Sequence, residues 1–146
     1  MTPAGLNRDH DPRRDRMTSR KTLQAALRGL GAVATVAGAS GVLRGAGEVH
    51  GAGSVSAPVD SEYRFYAAWY TVFGVLLGRA ARAPETEATI VRAAGVGLLS
   101  AAAGRLISIR KLGPPNNAQK VLLALEVVIP AVIVPWQTRV ARRQTG

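Results

Sequence analysis

Cysteine is absent from this 146-residue chain, and its histidines number two, His10 and His50. The first absence excludes a disulfide framework and a thiolate metal site. His10 sits in a charged head and His50 in a Gly-rich loop, neither with an acid or second histidine at ligand spacing, so no metal site is expected. No Gly-rich phosphate loop with a following Lys and Ser or Thr occurs, and the glycines around Gly45 to Gly53 lack the strand and helix context such a loop needs. With no nucleophile, metal set or nucleotide loop, no catalytic residue and no cofactor is assigned. Acids are scarce as well: nine Asp and Glu stand against 19 Lys and Arg, a net charge of +10.

In a soluble chain that excess of cations would suggest nucleic acid. The distribution argues otherwise, because charge is segregated. Residues 1–28 collect Arg8, Arg13, Arg14, Arg16, Arg20, Lys21 and Arg28 together with Asp9, Asp11 and Asp15, while long stretches beyond are almost charge-free. Arginines bracketing apolar runs are the pattern of a membrane protein, with positive residues holding loops on the cytoplasmic side. No nucleic-acid partner is expected; membrane lipid is.

Four apolar spans follow, at about 23–43, 61–78, 89–109 and 118–137. A helix rises about 1.5 Å per residue across a hydrocarbon layer of about 30 Å, so runs near 20 residues suffice. The second is marginal. The runs do not alternate polar and apolar, and their Ala and Leu content favours helix over strand. The expected fold is all-α, a four-helix transmembrane bundle over 23–138 whose short connections make neighbours antiparallel. Residues 1–22, polar and without apolar periodicity, are expected to form a disordered basic cytoplasmic head, and 139–146 a basic cytoplasmic tail. Met17, followed by Thr18-Ser19-Arg20-Lys21, is an alternative start. Ala37-Gly38-Ala39-Ser40 also offers small residues of the signal-cleavage type, but more membrane helix follows, so a retained first span is expected.

Orientation follows from counting Lys and Arg outside the spans. Arg8, Arg13, Arg14, Arg16, Arg20, Lys21, Arg79, Arg82, Arg139, Arg142 and Arg143 fall on the side of the termini, against Arg44, Arg110, Lys111 and Lys120 on the other. Both termini are therefore expected in the cytoplasm. Aromatic residues Tyr63, Phe65, Tyr66, Trp69 and Tyr70 open the second span, where rings favour the interface, and Trp136 anchors the last.

On this topology Glu62, Arg64, Arg105 and Glu126 all fall in the outer half, where two acids and two arginines can neutralise one another. Each alone would cost on the order of 3 kcal/mol to insert. Ala94, Gly97, Ala101, Gly104 and Ser108 form a small-residue face beside Arg105, open to close approach by another helix. Pro130 frees a backbone carbonyl near Glu126. Gly74 and Gly78 match a small-xxx-small pattern, compatible with a homo-oligomer or a membrane partner protein. Two roles are open to the charges. One is an ion-pair network fixing helix register. The other is an outward-facing pocket for a polar or anionic small molecule, a lipid headgroup or a quinone-like ring. Its ligand-binding residues would be Asp60, Glu62, Arg64, Tyr66, Trp69, Arg105, Ser108 and Glu126.

Three motifs, Val59-Asp60-Ser61-Glu62-Tyr63-Arg64-Phe65-Tyr66-Ala67-Ala68-Trp69-Tyr70, Gly104-Arg105-Leu106-Ile107-Ser108 and Leu125-Glu126-Val127-Val128-Ile129-Pro130, occur in that order. Through them the chain resembles the DUF4345 family over about residues 25–140. The resemblance implies a small bacterial four-helix protein of the inner membrane and supplies no reaction. The layout is also loosely similar to DoxX-like proteins, an analogy of fold that hints at redox or quinone-linked partners. The expected role is a ligand-binding or accessory subunit; the alternative is a membrane-embedded redox or isomerase-type enzyme using Glu126 as proton acceptor and Arg105 to stabilise negative charge.

Overall fold

A computed structural model of the chain describes residues 12–49, 51 and 53–143. Four helices carry the fold: α1 (Pro12–Arg44), α2 (Ala57–Ala80), α3 (Ala88–Leu112) and α4 (Asn117–Arg142), with a 3-10 turn at Ala46–Glu48. Among the described residues the all-α expectation holds. Helices α1, α3 and α4 are long and apolar enough to cross a membrane. Their apolar windows are only 17–22% buried inside the molecule. Side chains such as Val33, Phe65, Leu99 and Val128 stand exposed around the whole exterior. Soluble monomers rarely leave so much contiguous apolar surface open. Helix α2 is the exception, because Asp60, Glu62 and Arg64 near one end and Arg79 near the other leave only residues 65–78 free of charge.

The helices begin and stop where local chemistry allows. Pro58 sits in the first turn of α2, where a missing N–H costs nothing. At α4 the Asn116 side chain accepts the Gln119 N–H at 3.0 Å, satisfying one of the orphan donors of the first turn. Helix α1 starts earlier than the span expected from Leu23. Of the expected disordered head, residues 1–11 lie outside the described residues and 12–22 are helical. Composition alone underrates that segment because its support is tertiary: Arg20 pairs with Glu85 at 2.8 Å, and Trp136 Nε1 donates to Ser19 Oγ at 3.0 Å. The expected basic tail likewise opens inside α4, while residues 144–146 lie outside the described residues.

Neighbouring helices run antiparallel, as two hairpins, α1–α2 and α3–α4. In the first, backbones nearly touch. A Cβ built on Gly38 would stand 2.5 Å from the Thr71 amide nitrogen and 2.7 Å from the Ala67 carbonyl, and one on Gly31 would stand 2.7 Å from the Gly74 carbonyl. The sequence reading places close approach on the Gly97–Gly104 face of α3; the structure moves it. Nothing lies within 4 Å of a Cβ at Gly97 or Gly104. Helix α3 instead meets α4 one position over, where Gly95 faces Val134 and Pro130 and where Ala102 is buried. A rotation of one residue, about 100° on a helix, separates the two faces.

The hairpins join at one end, here termed basal, where α1 begins and α4 ends. Leu23, Leu27, Ala80, Ala81, Val91 and Val140 form the core there, with Leu77, Ile90, Ile133 and Trp136 packed against it. Gln137, fully buried, donates to the Pro84 carbonyl at 2.9 Å and ties α4 to the α2–α3 connection. Gln24 donates to the Arg82 carbonyl at 3.0 Å. Burial alone would oppose ionisation of Glu85, but the Arg20 hydrogen bond and charge win and hold its carboxyl below the usual range.

Candidate functional site

At the opposite, apical end, polar side chains do what apolar burial does at the base. Helix α1 ends with carbonyls that have no partner within the helix, and a cation near them is favoured. Arg64 of α2 supplies it, donating through Nη1 to the carbonyls of Val42 and of Leu43, the latter at 3.2 Å. Asp60, one turn before Arg64, accepts from Arg64 Nε at 2.7 Å and from the Ala46 N–H at 2.7 Å. The Arg64 hydrogen bond first, then that of Ala46, holds the Asp60 carboxyl below the usual carboxylate range. Gly45 makes the clasp possible. Its φ of 80° lies in the left-handed region, and a Cβ there would collide with Asp60 and Arg64.

The second hairpin has its own pair. Arg105 of α3 donates from Nε to both carboxylate oxygens of Glu126 on α4, each at 2.9 Å. The two groups differ in access: the Glu126 side chain is 7% exposed and that of Arg105 34%. A guanidinium has five N–H donors. Only Nε is used here, so both terminal nitrogens keep their donors free of protein partners among the described residues. Gly95 lets Pro130 and Val134 of α4 press against α3, which brings Glu126, one turn from Pro130, within reach of Arg105. Pro130, having no N–H, also leaves the Glu126 carbonyl without its usual partner in the helix.

The structure thus joins Asp60 to Arg64 and Arg105 to Glu126, each within one hairpin. The sequence reading gathers Glu62, Arg64, Arg105 and Glu126 into one network; no hydrogen bond or ion pair among the described residues links the two pairs. Helical spacing explains this: Asp60 stands four residues from Arg64, on its face, whereas Glu62 stands two away and points elsewhere. Glu62 is exposed. Tyr66 and Trp69 are also exposed, each in edge-on contact with Phe65, at centroid distances of 5.4 and 6.3 Å. Ser108 lies exposed near the end of α3. Sequence reasoning missed the docking of Arg64 on the end of α1 and the basal ties of Ser19, Arg20 and Gln137. The spacing of Asp60 and Arg64 was the one available signal for the first. Both histidines fall outside the described residues, and among those described no three metal-ligating side chains group together.

A family model described as a domain of unknown function, DUF4345, matches residues 22–137. The chain belongs to the DUF4345 family. The Asp60–Arg64 and Arg105–Glu126 pairs of this DUF4345 protein lie inside the matched residues, as do the glycine contacts of α1 with α2 and most of the basal core. Comparisons with curated proteins and with solved structures returned no significant match.

Proposed function

We propose that this DUF4345 protein is a multi-pass protein of the bacterial plasma membrane, with all four helices crossing and both termini cytoplasmic. It serves as a binding or accessory subunit rather than an enzyme. Its ligand is a small polar or anionic molecule, a lipid headgroup or a quinone-like ring, held at Arg105 and Glu126 in the outer half of the bundle. The observation that carries this reading is the uneven use of Arg105: one N–H fixes the guanidinium on a buried carboxylate and the rest stay open. Such a held guanidinium is oriented in advance, and a polar group that meets it needs little reordering. Helix α2 supports its own crossing in spite of its short apolar run. Fourteen residues, 65–78, span only about 21 Å, but Arg64 and Arg79 bury their stems and reach the interfaces with their heads, and the exposed Tyr66 and Trp69 suit an interfacial belt.

Purified full-length protein in nanodiscs tests the site with three probes: a short-chain quinone, glycerol 3-phosphate and inorganic phosphate. At least one is expected to raise the thermal midpoint. Saturation near 100 times Kd adds about 2.7 kcal/mol. The shift should vanish when Arg105→Gln and Glu126→Gln are combined, a change that removes both charges without stranding either. Folded wild-type protein indifferent to all three probes would overturn the reading.

A further inference from the structure

Where α1 passes α4 at the basal end, a groove of about 530 Å³ opens on the surface, lined by Val132, Pro135 and Trp136 and edged by Ser19, Arg139 and Arg143. A smaller recess of about 110 Å³ adjoins it, sharing Ser19 and Arg143 and adding Arg16 and Met17. The polarity of the groove runs along α4. Val132 and Pro135, both exposed, lie farther from the basal end along α4, Trp136 stands at the transition with its Nε1–H on Ser19 Oγ at 3.0 Å, and Arg139 and Arg143 follow toward the terminus. An apolar floor rising to cations is the profile of one lipid molecule seen side-on.

Charge complementarity identifies the occupant. Arg16, Arg139 and Arg143 have no side-chain hydrogen bond or ion pair among the described residues, whereas Arg20 and Arg79 take Glu85 and Glu87 at 2.8 and 3.7 Å. Three uncompensated guanidinium groups beside an apolar channel need an anion that carries hydrocarbon with it. Guanidinium pairs bidentately with phosphate, and basic pockets between helices at this level of a bilayer hold anionic headgroups.

We propose that this groove binds an anionic phospholipid of the surrounding leaflet, its phosphate held by Arg139 and Arg143 and an acyl chain laid along Val132 and Pro135. The site is separate from Arg105 and Glu126, which lie toward the apical end, and it requires only that lipid surround the helices.

The test compares full-length protein in detergent with added phosphatidylglycerol or phosphatidylcholine, read by native mass spectrometry and thermal unfolding. Phosphatidylglycerol is expected to remain bound and to raise the midpoint, and phosphatidylcholine to do neither. Arg139→Gln with Arg143→Gln should lose on the order of tenfold in phosphatidylglycerol affinity. Arg110→Gln with Lys111→Gln, an equal charge loss at the apical end, should lose little. Val132→Trp, which fills the floor and leaves every charge in place, should also weaken binding. Equal affinity for both lipids, or equal loss from both charge pairs, would overturn the proposal. So would the same stabilisation by inorganic phosphate alone, which would indicate a free-anion site, or a doubling of mass in place of a lipid adduct, which would indicate a second copy.

Discussion

The Asp60–Arg64 and Arg105–Glu126 pairs each rest on a residue whose replacement should be read differently. Glu126 is 5% exposed, so Arg105→Ala strands a carboxylate inside the molecule, a loss on the order of 3 kcal/mol. Denaturant titration in micelles should register it, and Arg105→Gln combined with Glu126→Gln should recover most of it. If the double variant is as unstable as Arg105→Ala, a stranded charge is not the cause. Asp60 makes a prediction about acid. Its folded carboxyl is depressed below the ordinary 3.8, so its contribution is fully present above that value and fades only as pH falls through the lower, folded one. A nitroxide on exposed Gly47 should therefore report the same docked turn at pH 7 and pH 5 and gain mobility only in stronger acid. Asp60→Asn should give the mobile spectrum throughout. The pairing of Asp60 with Arg64 was legible in their spacing of four, whereas the carbonyls of Val42 and Leu43 that Arg64 reaches belong to a helix twenty-odd residues earlier and left no local trace.

Between elements, glycine decides how near two helices come. Gly38→Ala drives a methyl into backbone atoms of α2, which cannot retreat as a flexible side chain can, so roughly 1–3 kcal/mol should be lost. Gly104→Ala meets open space and, having the better helix former, should be neutral or gain up to about 1 kcal/mol. The pair of variants, compared by thermal unfolding in one detergent, separates α1–α2 contact from a general effect of glycine removal; equal losses would contradict the close packing of α1 on α2. Helix positions were largely readable beforehand, since runs of Ala, Leu and Val bounded by Arg, Gly and Pro mark them. Their partner faces were not. The glycines and alanines of α3 that look most like a contact stripe lie one residue away from Gly95 and Ala102, which make the contact, and nothing in the period of small residues distinguishes the two.

Across the whole molecule, apolar burial holds the basal end and ion pairs hold the apical end of each hairpin. Spin labels at exposed Met17 and Arg82, near the shared core, should give a narrow distance distribution. Labels at exposed Leu43 and Leu112, at the apical ends of separate hairpins, should give a broader one; equal widths would argue against the asymmetry. The proposed orientation predicts a fluorescent C-terminal reporter in the cytoplasm and active alkaline phosphatase fusions in the connections near Gly53 and Pro114. Phosphatase activity between Arg82 and Glu85 would contradict it. The order of amino acids by itself determined that this chain is helical, where its apolar helical runs lie and that its exterior is apolar, because hydropathy and helical period are properties of neighbours along the chain. Only the tertiary structure decided that Arg64 and Arg105 each pair within their own hairpin instead of joining one cluster, that α1 reaches back to Pro12, and that the core sits at one end. Those outcomes depend on the rotation and register of helices far apart in sequence, which no local pattern encodes.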